Sequence, residues 1–297
     1  MLERLQGLCL SGDSLQFLFL MVKVYWASSI RRKSSGWSPM PRKVSEIIVR
    51  DIISIDKGDT VERALDLMER NKISHLIVTS GDKLVGVLSV RDLMDGLGSS
   101  RFERIPARRI YISALMSEPP ITIEQDADIL DAAKVMLDKR ISLLPVLNDG
   151  KLVGLITESD IIRQMELRGD LSSLIKREHP KIMPNERIVH ARAIMLERGA
   201  RILPVVDSGK LIGLVTEMIL AKAFFEVRDR IEGTYMDDVA RRVIVEDIML
   251  ESPPKLSNDL KNVKETFLST GLPALPVVDS SEKVIGVIER KSLLRLL

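Results

Sequence analysis

The sequence predicts an α/β fold, in the α+β sense: four tandem β-α-β-β-α units that pack in pairs. Three observations predict it. The pattern Lys-apolar-apolar-Gly-apolar-apolar is written four times, in "KLVGVLSVRD" from Lys83, "KLVGLITESD" from Lys151, "KLIGLVTEMI" from Lys210 and "KVIGVIERKS" from Lys283. Its glycines, Gly86, Gly154, Gly213 and Gly286, lie 68, 59 and 73 residues apart, which suits a repeated supersecondary unit of about 60 residues. A helical stripe and a second apolar run precede each glycine in fixed order.

Each element has its own signal. A short extended piece leads each unit: "IISI" at 52–55, "PITI" at 120–123, "PKIM" at 180–183 and "PKLS" at 254–257. A helix follows, with one buried face at i, i+3, i+4, i+7: Val61, Ala64, Leu65, Met68 in the first unit and Ile129, Ala132, Ala133, Met136 in the second. The third stripe is Ile188, Ala191, Arg192, Met195 and the fourth Leu260, Val263, Lys264, Phe267. One position is basic in each of these two, so those helices are expected to sit differently. The runs "ISHLIV", "ISLLPV", "ARILPV" and "LPALPV" read as strands, and turns such as "NDGK" and "DSGK" join them to the Lys-apolar-apolar-Gly strand as hairpins. A second helix starts at the Ser/Thr position that closes each pattern. Between units three and four, residues 220–242 read as helix, a break near Gly233, then helix. One unit has too small a core to stand alone, so units should pack in pairs.

Composition narrows the function classes. Residues are 45% hydrophobic and only 4% aromatic, enough for a sizeable core but with few stacking platforms for single-stranded nucleic acid. Seven basic and two acidic residues fall in positions 1–43, leaving 37 basic and 40 acidic residues, a balance of −3, for 44–297. A slightly acidic body lacks the basic face that dominates DNA or RNA binding. Cys9 is the only cysteine, which excludes an intrachain disulfide and a Cys-based metal site. His75, His179 and His190 stand at no metal-ligand spacing, and no Walker loop, G-x-G-x-x-G or G-x-S-x-G is present.

The apolar stretch 15–27, "LQFLFLMVKVYWA", is shorter than the roughly 20 residues a bilayer crossing needs. It admits three readings: an extension upstream of a true start at Met40, a short helix packed on the body or a partner, or a membrane-surface anchor. Residues 1–43 are thus expected to lie outside the folded core, with units at 44–98, 109–168, 176–228 and 240–297.

Taken together, the "MSEPPITI" lead-in at 116–123, the "LPV" strand, the Gly-apolar-apolar-[Ser/Thr]-x-x-Asp close and the fourfold repetition resemble the cystathionine-β-synthase (CBS) domain. The resemblance covers residues 44–297. It implies that units one and two form one Bateman module and units three and four another, with adenosine-containing ligands such as AMP, ADP, ATP or S-adenosylmethionine held in clefts between paired sheets.

Chemistry gives the Ser/Thr and Asp a role. The last strand runs into a helix N-terminus, which favours an anion; a hydroxyl there can reach a phosphate oxygen, and a carboxylate three residues on can accept both ribose hydroxyls. The resemblance carries these roles onto Ser89 and Asp92, and onto Thr157 and Asp160. It places adenine near Ser54, Ile73 and Leu76 in the first unit and near Thr122, Ile141, Leu144 and Pro145 in the second, with His75, Arg140 and Arg201 as candidate phosphate partners. The same Ser/Thr-x-x-Asp spacing also caps a helix with no ligand present. Unit three keeps Thr216 but has Ile219 for the acid, and unit four has Glu289 and Ser292, so nucleotide binding is expected in the first module only. The expected protein is a non-catalytic, cytoplasmic sensor that binds an adenosine ligand and signals to a separate protein partner, with a homodimer through its modules as a further possibility. The alternatives are a scaffold whose repeats dock a partner without nucleotides, and an enzyme, for which no nucleophile or metal centre is evident.

Overall fold

A computed structural model describes residues 41–102, 105–230 and 242–297. The first unit is β1 (Ser54–Asp56), α1 (Val61–Arg70), β2 (His75–Ser80), β3 (Lys83–Ser89) and α2 (Val90–Leu97). The second is β4 (Ile123–Glu124), α3 (Ile129–Lys139), β5 (Leu143–Asn148), β6 (Lys151–Thr157) and α4 (Glu158–Gln164). The third holds α5 (Ile188–Arg198), β7 (Ile202–Asp207), β8 (Lys210–Thr216) and α6 (Glu217–Arg230). The fourth holds β9 (Leu250–Glu251), β10 (Leu256–Ser257), α7 (Val263–Thr270), β11 (Ala274–Val278) and β12 (Val284–Glu289). Among the described residues these strands make four three-stranded sheets, one per hairpin. The hairpin turns at Asp149-Gly150 and Ser208-Gly209 hold both central residues at positive φ, the backbone a tight turn between right-twisted strands needs.

Three expectations are corrected. "PKIM" forms no strand: it touches β7 at the single bridge Ile182 to Val205, because Pro180 and Pro184 flank it and offer no N–H to a ladder. The third strand of that sheet is instead β9, from the lead-in of unit four. Unit four closes in a 3₁₀ helix, Arg290–Leu296, and not an α-helix. Leu260 lies ahead of α7 at a φ of 51° rather than on its stripe. The reading of 15–27, and the break near Gly233 with the helix beyond it, fall outside the described residues.

The stripes do what their spacing requires. Val61, Ala64, Leu65 and Met68, then Ile129, Ala132, Ala133 and Met136, are all buried, each large apolar side chain contributing about 1.5–3 kcal/mol. They do not build four separate cores. Helices of units one and three share one apolar cluster, helices of units two and four share another, and a smaller group, Ile202, Leu214, Ala274 and Val287, joins the sheets of three and four.

The two basic stripe residues join units diagonally. Arg192 on α5 reaches α2 of unit one, donating to the Asp95 carbonyl at 2.9 Å. Lys264 on α7 reaches the end of α4 in unit two, donating to the carbonyls of Arg163 at 2.9 Å and Met165 at 2.5 Å. Helix C-termini leave carbonyls unpaired and carry partial negative charge, so each cation satisfies both needs.

Pairing within a module comes from crossed lead-in segments. Val49 of unit one bridges Leu155 on β6 of unit two, and Ser117 of unit two bridges Val87 on β3 of unit one. Lys176 bridges Val287 on β12 in the same way, and Leu250 pairs with Leu214 on β8. Each crossing passes directly over a pattern glycine. A Cβ on Gly86 would stand 2.8 Å from the Ser117 carbonyl oxygen, one on Gly154 2.6 Å from that of Val49, and one on Gly286 2.8 Å from that of Lys176. On Gly213 it would stand 2.5 Å from the Met249 sulfur. At three of the four, backbone lies where a side chain would begin, and at Gly213 the Met249 side chain does, with the Leu250 carbonyl oxygen at 3.3 Å, which is why the glycine recurs. Gly154→Ala should therefore force the lead-in off β6 and cost about 1–3 kcal/mol, read as a lowered urea midpoint; an unchanged midpoint would show that the crossing yields freely.

Candidate functional site

The ends of β3 and β6 turn into helices through residues held in extended backbone, Ser89 at φ −108° and Thr157 at φ −122°. Asp92 Oδ2 accepts from the Ser89 backbone N–H at 2.8 Å and from its hydroxyl at 2.6 Å. Asp160 Oδ2 does the same with Thr157, at 3.0 and 2.6 Å. Ser89 Oγ also accepts from the Asp92 N–H at 3.2 Å, which completes a capping box; the Thr157 side chain makes no such cap bond. The two pairs also differ in their second oxygen, since Asp160 Oδ1 also takes Arg163 at 3.0 Å. Burial pushes the Asp92 carboxyl above its ordinary range; the bonds from Ser89 oppose this and the nearby Glu217 and Asp95 reinforce it. In unit three the Thr216 hydroxyl accepts only from the Ile219 N–H, at 3.2 Å. In unit four Ser292 donates to the Glu289 carbonyl at 2.6 Å.

The apolar residues assigned to adenine are split by the strand alternation. Leu76 and Leu144 are fully buried in the helix-facing cores. Pro145 is buried on β5, while Ile73 and Ile141 are half-buried where the first helix of each unit enters its hairpin, and Ser54 is exposed at the start of β1. Thr122 is half-buried within a lead-in that runs from β3 of unit one, at Ser117, to β5 of unit two, at Ile123.

The three candidate phosphate partners part company. Arg140 is exposed, in the left-handed residue that ends α3. His75 and Arg201 meet at Ser142, whose hydroxyl lies 3.2 Å from His75 Nε2 and accepts from Arg201 Nη1 at 3.4 Å. On its other side the ring meets the Ser74 hydroxyl, at 2.9 Å from Nδ1. A neutral imidazole, one donor and one acceptor, matches two hydroxyls that can each play either part. The ring keeps some solvent contact, yet its surroundings lower its pKa to about 3, through burial first and then the charges of Arg201 and Arg290.

This contact belongs to a larger hub that the sequence reading missed. Arg201 lies 3.5 Å from Glu217 Oε2, and Glu217 Oε1 is 2.8 Å from Arg91 of unit one. Arg91 also donates to the carbonyls of Met195 and Ala200 in unit three, at 3.3 and 2.7 Å. Burial alone would lower Arg201, but Glu217, then Glu158 and Glu289, hold its pKa above the ordinary value. Across the centre, Arg290 of unit four lies 3.2 Å from Glu158 of unit two, with side chains 8% and 1% exposed. Glu158 Oε1 has no hydrogen-bond partner among the described residues. The available signal was positional: Val90, Glu158, Glu217 and Arg290 each directly follow the Ser/Thr position of their unit.

Among the described residues no group of three or more His, Cys, Asp or Glu is placed to hold a metal, and no helix is long and apolar enough to cross a membrane. The family model for the CBS domain matches residues 44–99, 112–167, 171–226 and 245–297. The protein MJ1225 of Methanocaldococcus jannaschii is 29% identical over 273 residues, covering 83% of this chain and 95% of the relative. Its crystal structure, described as that of a proposed archaeal homologue of g-AMPK, superposes with a TM-score of 0.74 at 27% identity, over 86% of this chain and 99% of that one. A conserved protein from Pyrococcus horikoshii shares the fold at a TM-score of 0.55 and 22% identity, over 86% of this chain and 99% of its own. Inosine-5'-monophosphate dehydrogenase of Korarchaeum cryptofilum is 32% identical over 121 residues, which is 40% of this chain and 24% of the enzyme.

Two predictions come from the hub. Arg290→Met leaves Glu158 as a buried uncompensated charge and should cost about 3–5 kcal/mol; adding Glu158→Gln should recover much of that loss in chemical denaturation, and no recovery would mean the two residues act separately. His75 is neutral when folded and titrates near 6.5 when unfolded, so the unfolded chain binds the extra proton and stability should fall as pH drops below 6.5 towards 3. The loss should not exceed about 1.4 kcal/mol per pH unit. His75→Gln should flatten that part of the pH profile relative to wild type, and parallel profiles would contradict it.

Proposed function

This chain belongs to the CBS-domain family, and from that premise we propose that it is a non-catalytic sensor. Its first module binds an adenosine-containing ligand, AMP, ADP, ATP or S-adenosylmethionine, and the resulting change in the angle between paired units is read by a separate protein. The observation that carries this reading is the unequal distribution of the cleft-closing residues. Both hairpins of the first module end in a hydroxyl and a carboxylate held together, Ser89 with Asp92 and Thr157 with Asp160, while neither hairpin of the second does. A ligand would take over the hydroxyl for phosphate and the carboxylate for ribose, exchanging internal capping bonds for bonds of the same kind. Ile73, Ile141, Thr122 and Ser54, with the backbone of Leu76 and Leu144 and the ring of Pro145, would receive the adenine. The short match to a dehydrogenase, 24% of that enzyme, supports a regulatory rather than a catalytic role, as does the span of the four matched stretches.

A second reading is favoured by the capping bonds themselves: the repeats act as a scaffold that docks a partner, and the two Ser/Thr-x-x-Asp pairs only cap helices. Thermal melting of the full chain with AMP, ADP, ATP and S-adenosylmethionine separates the two. Ligand at about a hundred times its Kd adds about 2.7 kcal/mol, several degrees for a chain of this size. Asp160→Ala should lose about 1 kcal/mol without ligand, as a lost cap, and should also lose most of the ligand-induced rise. If no ligand raises the wild-type melting temperature at millimolar concentration, the scaffold reading stands and the sensor reading falls.

A further inference from the structure

The crossing of lead-in segments sets up four equivalent clefts, and their residues can be compared within one chain. In each, the lead-in residue that bridges the position after the glycine lies beside the strand residue two further on, which points to the same face of the sheet. The four combinations are Val49 with Thr157, Ser117 with Ser89, Leu250 with Thr216 and Lys176 with Glu289. Three clefts combine an uncharged lead-in residue with a hydroxyl. In the fourth both have changed together, to a cation and an anion.

These two meet. Lys176 Nζ lies 2.7 Å from Glu289 Oε1, and Lys291 Nζ lies 3.9 Å from Oε2. The Glu289 side chain is 7% exposed while that of Lys176 is 46% exposed, so the carboxylate is the enclosed partner and the ammonium comes in from the rim. Both residues line a cavity of about 470 Å³, together with Ile175, Pro180 and Ala200, the basic Arg177 and Arg198, His179 and one further acid, Glu178. A carboxylate held by two lysines in a cleft whose lining carries two arginines against one other acid has the charge arrangement of a bound anion that is part of the chain.

We propose that Glu289 is a built-in substitute for a ligand phosphate, with Lys176 as its partner, so that the second module is held in one arrangement and excludes phosphate-bearing ligands from this cleft. The proposal rests on the sensor reading for what the sister clefts hold, but the Lys176–Glu289 exchange can be tested without any adenosine compound. Burial would raise the Glu289 carboxyl, yet Lys176 and Lys291 bring it below its ordinary range, so the carboxylate is charged as the role requires. A phosphate entering the cleft would meet that charge, and removing it leaves Lys176, Arg177 and Arg198 against Glu178 alone in the cavity lining.

The test is a gain of function in the full chain. Thermal melting of wild type, Glu289→Thr and Lys176→Met/Glu289→Thr is followed against inorganic phosphate, with chloride at matched ionic strength as reference. Glu289→Thr should gain a phosphate-dependent rise in melting temperature beyond that of wild type, and the double variant should lose the gain. Lys176 is half in solvent, so the single variant should fold; if circular dichroism shows otherwise, Glu289→Gln serves in its place. Equal phosphate responses in wild type and the single variant would overturn the proposal, and so would a gain that survives loss of Lys176. A wild type that ignores every adenosine ligand while Glu289→Thr still gains phosphate would sink the sensor reading and leave this exchange standing.

Discussion

The backbone crossing at four glycines is the constraint on which the rest of the structure depends. Where the Val49 carbonyl passes 2.6 Å from the position a Gly154 Cβ would take, unit one lends its lead-in to unit two, and the reverse crossing at Gly86 returns the exchange. The edge strand of each hairpin is then bridged by the other unit, and the two units cannot separate without breaking main-chain bonds such as Val49 N–H to Leu155 O at 2.9 Å. The same crossing brings a residue of one unit beside the helix start of the other. The clefts follow from the pairing and need no separate cause.

Between modules a different force operates. The second helices of units one and two each end against a cation from the diagonal unit, and helices of the same paired units share an apolar cluster. Arg228 adds to this between units one and three, donating to the carbonyl of Leu97 at the end of α2 and to those of Ser99 and Phe102 beyond it. At the centre, where the hairpins of all four units converge, apolar packing gives way to charge: His75 with Ser142, Arg201 with Glu217 and Arg91, Arg290 with Glu158. A buried arginine is tolerated there only because a carboxylate or carbonyl meets it. The arrangement ties each unit to two others through different chemistry, hydrogen-bonded backbone within a module and cation-to-carbonyl or ion-pair contacts across.

Much of this was legible because it is periodic. Stripes at helical spacing predicted the helices, and the repeated glycine predicted the hairpin strand, though not its cause, which lies in a segment some 30 to 110 residues away in sequence. Leu76 and Leu144 were singled out by strand identity, and their side chains turn to the core because alternate residues of a strand take opposite faces. "PKIM" looked like its counterparts and forms no strand, since flanking prolines matter more than apolar content at a position with two donors to lose. Arg192 and Lys264 were noticed as anomalies in apolar stripes, but their targets are helix ends in other units, and no local pattern points to a carbonyl 97 or 101 residues distant. Arg201 was singled out for its charge; Glu217, which holds it, was passed over because a surface glutamate would look the same in the sequence.

The placement of the hub residues gives the two modules a mechanical relation. Glu158 lies in the first turn of α4, between Thr157 and Asp160, and is held by Arg290 of unit four. Arg91 lies in the first turn of α2, between Ser89 and Asp92, and is held by Glu217 and by the end of α5 in unit three. Each first-module helix start that carries a hydroxyl and a carboxylate therefore also carries one residue anchored in the second module. A change that rotates either turn by a fraction of a residue must stretch a buried ion pair or carry the partner unit with it, and close-packed interiors yield by moving whole elements rather than by opening voids. On the proposed sensor reading, the second module, whose own helix starts lack the Ser/Thr-x-x-Asp pair, would move as one body in response to the first.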